Sequence, residues 1–472
     1  MIGNPFSYRY TVSLPKNLDI DDIFQKNGFD GELKLNCAFK YRDRAAYLIG
    51  QIYNAMESKD NVDEYVCLYS PFLKDAVRHY KRYIDFFIEH EVLDCDNTYH
   101  SNINSSKSLG YRFTEKHRNN GWKQYHIYDE NFLKTIYKTH RPKEVVQKYN
   151  YLYKWLSDLD YDEDQALKVL DELYPVDDDN KRHQWQMLQR IKNPKMWTFK
   201  TCTTGRLFTP VTNLKKELRD LLTYKDTPLI EVDIKNAIPY FSLSILDLDL
   251  LQTELVKKYM NKANPSINLF DRIFKFMSPL LMLGKNKGRA ESIQDWKDRV
   301  LNGTIYDYLA DRWNIRLDKD YSRKEAKTKL LAILNSPSIF KSPERSILQE
   351  LYPDVIHVFD MVNSGYFKTK NAHGAAKWKN GDLRCPFAQF SQGLESYFVL
   401  DDVCKDISES DPEIPMFTVH DAILTTGEYL SIFHVYMSER SIELFNSPLG
   451  LKVDEPENIF SHMPIAFEAL PF

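Results

Sequence analysis

Near the end of the chain, Met416-Phe417-Thr418-Val419 and Ala422-Ile423-Leu424-Thr425-Thr426 flank the pair His420-Asp421. Two β-rich runs separated by only two residues close as an antiparallel hairpin with the charged side chains at its tip. A third apolar run, Leu229-Ile230-Glu231-Val232-Asp233-Ile234, follows the turn Asp226-Thr227-Pro228 and precedes a helix opened by Pro239. Asp233 and Asp421 therefore each stand where an apolar strand ends, presented at a sheet edge and not buried within it. By itself a strand-end aspartate is usually a turn former. Two of them on adjacent strands form a minimal set of hard oxygen ligands for a pair of Mg²⁺ or Mn²⁺ ions, the arrangement that stabilises attacking and leaving oxygens in phosphoryl transfer.

The rest of the composition fits a globular protein of this kind. The chain has 472 residues, 43% hydrophobic, 28% charged and 14% aromatic, which excludes long disorder, collagen-like repeats and a coiled-coil rod. No run approaches the length of a membrane span, and Met1-Ile2-Gly3-Asn4-Pro5-Phe6 lacks the basic start of a signal peptide. Cys37, Cys67, Cys95, Cys202, Cys385 and Cys404 are scattered singly, as in reduced thiols. The expectation is a cytoplasmic chain without a membrane partner.

The net charge of −4 hides an uneven distribution. Ten basic residues lie between Lys181 and Arg219 against one acid, Glu217, and ten more between Lys107 and Lys148 against four acids. Interleaved aromatics (Tyr111, Phe113, Trp122, Tyr125, Trp185, Trp197, Phe199) suit a phosphate backbone and exposed bases. A solvated helix face is the alternative for either block.

Upstream, Ser70-Pro71 starts a helical spacing through Leu73, Val77, Tyr80, Ile84 and Phe87. Two extended runs follow, Thr98 to Ile103 and Leu109 to Thr114, joined by Ser105-Ser106-Lys107. A helix followed by a basic hairpin outlines a winged-helix DNA-binding module, with an ordinary α+β accessory domain as the alternative. Lys116, Arg118 and Lys123 are its candidate nucleic-acid contacts. Residues from about Pro142 to Leu188 read as helical.

Between the two aspartates, Arg323-Lys324-Glu325-Ala326-Lys327 places Arg323 and Lys327 one turn apart on a helix face. A guanidinium and an ammonium so spaced match a triphosphate, the first by bidentate bonding and the second as a point charge. A solvated basic face is the plain alternative.

The order Thr203-Thr204-Gly205-Arg206-Leu207, Asn213-Leu214, Glu231-Val232-Asp233, Arg323-x-x-x-Lys327 and Val419-His420-Asp421 resembles the core of family A DNA polymerases and the single-subunit phage-type RNA polymerases, over roughly residues 196–430. The resemblance implies that Asp233 and Asp421, with the backbone carbonyl of Ile234, ligate two Mg²⁺ or Mn²⁺ ions. Arg323 and Lys327 would hold the nucleoside triphosphate, with Lys235, Asn236 and Ile238 near the nucleotide pocket. Arg206, Asn213, Gln392 and His420 would contact the primer–template. The chain departs from the pattern at Ile238, where the DNA polymerases carry a glutamate, at Leu331, Asn335 and Ser336, where an aromatic and Tyr-Gly are usual, and at Ala422, which follows the His-Asp pair. Asp30-Gly31-Glu32 is the one upstream D-x-E match and reads as a turn, not as part of an exonuclease.

The expected fold is α+β: a right-hand polymerase with a small antiparallel palm sheet, helical fingers and thumb, plus an N-terminal winged-helix-like domain. The boundaries are 1–59 (an α/β segment), 60–141 (winged-helix-like), 142–195 (helical thumb), 196–245 (palm), 246–386 (fingers) and 387–472 (palm and C-terminal segment). The expected activity is DNA-directed DNA synthesis by a monomer acting on primer–template nucleic acid. An RNA polymerase or primase is the nearest alternative. A non-catalytic replication protein that keeps the fold is the alternative of another class, and a two-metal nuclease ranks below both.

Overall fold

The structure is a computed structural model that describes residues 10–29, 38–57, 65–68, 70–98, 100–102, 105–107, 109–118, 121–175, 179–192, 197–264, 268–282, 287–336, 341–364, 367–370, 376–378 and 385–454. Asp30-Gly31-Glu32 and Cys37 lie outside these residues. The chain divides into two compact units, one of residues 1–148, 178–200 and 377–383, the other of residues 149–177, 201–376 and 384–472. Both combine helices with antiparallel sheets, an α+β architecture. No described helix is long and apolar enough to cross a membrane.

The first unit runs β1 (Tyr10–Pro15), α1 (Ile20–Asn27), α2 (Ala38–Glu57), β2 (Val66–Cys67), α3 (Ser70–Ala76), α4 (Tyr80–Glu89), β3 (Leu93–Cys95), β4 (His100–Asn102), β5 (Ser105–Lys107), β6 (Gly110–Phe113), β7 (Trp122–Ile127), α5 (Glu130–His140) and α6 (Asp179–Ile191). Asp19 caps α1 by accepting from Asp22 N–H, and Gly28 ends it in the left-handed region at φ +63°. Asp129 caps α5 through Asn131 and Phe132 N–H. One apolar cluster takes in Tyr10, Phe24, Ile49, Phe87, Phe113 and Tyr137, so residues on both sides of the expected boundary at 59/60 share a core. Asp43, fully buried beneath it, accepts from Tyr125 Oη, Tyr128 N–H and Asp129 N–H, each at 2.6 Å.

Two local expectations are corrected. The helical spacing from Leu73 to Phe87 is broken into α3 and α4, because His79 leaves helical geometry at φ −116°, ψ 37°. The hairpin is formed by β4 and β5, with His100 opposite Lys107, so Ser105-Ser106-Lys107 is a strand and not the loop. Gly110–Phe113 lies instead between β2 and β3, where it has antiparallel partners on both sides.

The second unit is built on a sheet of β8 (Leu159–Tyr161), β9 (Leu222–Tyr224), β10 (Thr227–Ile234), β11 (Phe417–Val419), β12 (Ala422–Thr426) and β13 (Leu451–Asp454), in the order β11-β12-β10-β9-β8 with β13 beside the end of β10. β8 falls inside a stretch whose pattern predicted only helix. The helices used below are α7 (Ala237–Ser242), α8 (Lys287–Leu301), α9 (Ile305–Leu317), α10 (Arg323–Leu334), α11 (Pro386–Ser396) and α12 (Leu430–Phe445). Val232 and Ile234 of β10 point into the core, which puts Glu231 and Asp233 on its other face. α10 begins with a complete capping box: Ser322 and Glu325 each bond the other's backbone N–H.

Candidate active site

Register alone brings the two aspartates together. Asp233 on β10 lies opposite Ala422 on β12, and Val419 opposite Ala422 leaves His420-Asp421 as the two-residue turn of the β11–β12 hairpin. The Ile234 N–H donates to the Asp421 carbonyl at 3.2 Å and ties that turn to the end of β10. His420 takes φ +57°, the left-handed geometry that lets so short a turn close. Its ring meets Phe208 edge-on at 5.4 Å.

Both carboxylates are half-buried, and among the described residues neither has a salt-bridge partner. Burial, then the charges of Asp421 and Glu231, push Asp233 up to about 7, with Lys327 acting in the opposite direction. Asp421 is raised by burial against its own backbone N–H, Arg206 and Lys327. Two acids that disfavour each other's ionised form, with no cation bonded to either, are a donor set that a divalent ion relieves. Among the described residues no group of three or more His, Cys, Asp or Glu side chains could hold a metal, so the donors fitting one here are two carboxylates and backbone oxygens.

The surrounding charges are matched one by one. Glu231 faces Asp454 across β10 and β13, a like-charge pairing that would weaken the sheet. Arg219 reaches Glu231 at 3.1 and 3.3 Å, and Lys216 reaches Asp454 at 2.7 Å. Asp220, half-buried beside them, is lifted by burial to about 6.

Arg206 has a partner within the chain. It grips Glu395 of α11 through Nε and Nη2, at 2.7 and 2.8 Å, and Glu395 is fully buried. The turn leading to it is tight. Gly205 sits at φ +91°, a conformation in which any side chain would be strained, although a Cβ there would meet Ser396 only at an ordinary 3.5 Å contact. Glu395 could not be read from sequence as a site residue, because it sits within an otherwise apolar helical spacing. Even so, burial lifts it to about 7, Arg206 opposes that rise, and Asp421 and Asp233 add to it.

Lys327 and Arg323 project from α10 beside the ring of Tyr306 on α9, at 6.0 and 5.5 Å from its centroid. Arg323 bonds Asp307 and donates to the Gly303 carbonyl at 3.1 Å. Tyr306 is buried and its hydroxyl is raised by burial, with Arg323 opposing the rise and Asp421 adding to it. The preceding helix thus supplies an aromatic ring beside both cations.

The remaining candidates divide. Asn236 is buried at φ +55° and its amide donates to the Val300 carbonyl at 3.3 Å, a structural brace to α8. Lys235 is exposed, its backbone held by Gly450 at 2.8 Å. Ile238 on α7 and Gln392 on α11 are half-buried, and Asn213 is exposed on a short turn. Lys116, Arg118 and Lys123 belong to the first unit, where Lys116 and Lys123 are exposed and Arg118 is half-buried.

No family model matches the chain, and no curated protein matches it. Among solved structures that do match is the POL domain of Pol1 from M. smegmatis in complex with DNA primer-template and dNTP, with TM-score 0.28 and 13% identity over 58% of this chain and 51% of that one. The chain thus spans about half the length of that structure.

Proposed function

We propose that the chain is a template-directed nucleotidyltransferase of the family A polymerase type, acting as a DNA-directed DNA polymerase. The observation that carries the reading is the register-locked pair Asp233 and Asp421, with Lys327 acting electrostatically on both. In this reading β8 to β13 form the palm sheet, α8 to α10 belong to the fingers, and the helix-and-hairpin segment over 60–141 is winged-helix-like.

Asp233, Asp421 and the Ile234 carbonyl would hold two Mg²⁺ or Mn²⁺ ions, which supply Lewis-acid stabilisation of the attacking and leaving oxygens. Lys327 and Arg323 bind the triphosphate, Arg323 exchanging Asp307 for phosphate oxygens. The primer 3′-oxygen forms its bond to the α-phosphorus and gives up its proton. The bond to the β-phosphate oxygen breaks, and pyrophosphate leaves. Arg206, bonded to Glu395, opposes the rise of Asp421, and it is the proposed contact to the primer–template.

A single-subunit RNA polymerase or primase is the second reading, favoured by the small Ala422 against Asp233 and by Ile238 where a glutamate gate would stand. Extension of a labelled primer with dNTPs and rNTPs offered separately decides between them. The proposal expects dNTP-dependent extension by the wild type, lost in Asp233→Ala and Asp421→Ala. Exclusive rNTP use supports the second reading, and extension that survives both substitutions overturns the site.

A further inference from the structure

The two basic blocks of the sequence, read separately, meet in the first unit. The Phe199 N–H donates to the His140 carbonyl at 3.1 Å, which sets Lys200, from one block, beside His140 and Arg141 at the end of α5, from the other. The indole of Trp197 donates to the Ile191 carbonyl at 3.3 Å, fixing the same segment to the last turn of α6, where Arg190 lies. The helix C-termini account for part of this positive charge, since their carbonyl ends favour cations. They do not account for what lies inside.

Among the described residues, five buried polar atoms near this point have no hydrogen-bond partner: Tyr47 Oη, Tyr137 Oη, His140 Nδ1 and Nε2, and Arg190 Nε; the Tyr10 ring lies between the rings of Tyr47 and His140, at 5.8 and 6.0 Å from them. Tyr47 is completely buried. Arg190 makes one weak bond, to Met187 Sδ at 3.6 Å, and among the described residues neither it nor Lys200 has a carboxylate partner. Burial and then Lys200, Arg190 and Arg141 push His140 down to about 3, so every charge acting on that ring is positive. The ring is neutral at pH 7 and leaves one N–H to donate. A half-buried guanidinium without an acid is costly, and a buried hydroxyl without an acceptor is costly too. One kind of ligand answers both: an anion with several acceptor oxygens.

We propose that Arg190, Lys200, His140, Tyr47 and Tyr137 form a phosphate-binding site in the first unit, separate from the triphosphate contacts of Arg323 and Lys327. Arg190 and Lys200 supply charge, and the two hydroxyls and the imidazole N–H supply directed donors. The phosphate is a group of a nucleic-acid strand or free inorganic phosphate, and the two sources make different predictions. The inference does not depend on the polymerase reading, because none of these residues enters that reaction.

The test uses the full chain in two arms. In the first, thermal unfolding is followed in potassium phosphate and in potassium chloride at matched ionic strength. Phosphate raises the Tm of the wild type by several degrees, and the gain disappears in Arg190→Gln and in Tyr47→Phe. Tyr47→Phe removes an unpartnered hydroxyl, so it folds without phosphate at least as well as the wild type. In the second arm, binding of a labelled single-stranded oligonucleotide is measured against salt. A nucleic-acid phosphate predicts competition by inorganic phosphate and a log–log salt slope shallower by about 1.4 in Arg190→Gln/Lys200→Gln, about 0.7 per lost contact. A phosphate-dependent Tm with an unchanged slope assigns the site to free phosphate. No phosphate effect on the wild type, or one that survives Arg190→Gln, overturns the site.

Discussion

Replacing Arg206 by methionine tests how the candidate site holds its charge. The guanidinium gives Glu395 two charge-assisted bonds at 2.7 and 2.8 Å, the arginine side chain is 19% exposed, and Glu395 is not exposed at all. Removing one partner of such a pair costs about 3–5 kcal/mol when the other must stay ionised. Glu395 has an escape, because burial already holds it at about 7, above the ordinary carboxylate range. A carboxyl raised in the folded state favours folding fully below its unfolded pKa, and that contribution is lost as pH rises through the folded value. Arg206 is what opposes the rise, so its loss moves Glu395 further up and steepens the decline with pH. The expected loss is about 1 kcal/mol at pH 5.5, where a neutral acid loses only ordinary hydrogen bonds. At pH 8 it grows to about 3 kcal/mol. Urea denaturation followed by circular dichroism at the two pH values measures both, and adding Glu395→Leu should recover most of the loss at pH 8. Equal losses at the two pH values, or less than about 1 kcal/mol at pH 8, would refute the reasoning.

Other expectations can be checked separately. Mg²⁺ or Mn²⁺ should raise the Tm of the wild type and not of Asp421→Asn, the gain being larger at pH 8 than at pH 6, because Asp233 at about 7 must be ionised to bind the ion. Lys327→Ala should raise the nucleoside triphosphate KM about tenfold, whereas Asp307→Asn, by freeing Arg323, should lower it; steady-state kinetics read both. Asp43→Ala strips three 2.6 Å hydrogen bonds from a fully buried acid and should destabilise the chain by about 3 kcal/mol in urea. Replacing Lys116, Arg118 and Lys123 by glutamine should weaken duplex binding and flatten its salt slope; an unchanged slope removes them from the binding surface.

What was legible in the sequence follows from how local the signals are. Asp233 and Asp421 were readable because each interrupts an apolar strand beside a turn, and strand alternation then fixes the face they occupy. The Arg323–Lys327 pair was readable from helical spacing, but its partner Asp307 and the ring of Tyr306 come from another helix, which no spacing within α10 encodes. Arg206 carried a recognisable motif. Its partner Glu395 stands nearly 190 residues away, a long-range pairing that local pattern does not carry. β8 was missed because Leu159–Tyr161 is short and sits among the acids from Asp158 to Asp164, where the surrounding pattern is helical. The hairpin register near residue 105 was misjudged because β6 had stronger partners elsewhere, in β2 and β3. Asn236 looked like a pocket residue from its place after Asp233. Its left-handed backbone and its bond to the Val300 carbonyl, on another helix, were not readable there.

The most direct test of the account is single-turnover addition of one nucleotide to a labelled primer–template as a function of Mg²⁺, with wild type and Asp421→Asn compared and duplex occupancy measured in the same samples. The account predicts Mg²⁺-dependent addition by the wild type, and a loss of about a thousandfold or more in the variant while both hold the duplex equally. Addition by the variant at the wild-type rate, or a wild type that holds the duplex and adds nothing at any Mg²⁺ concentration with either dNTPs or rNTPs, would contradict it.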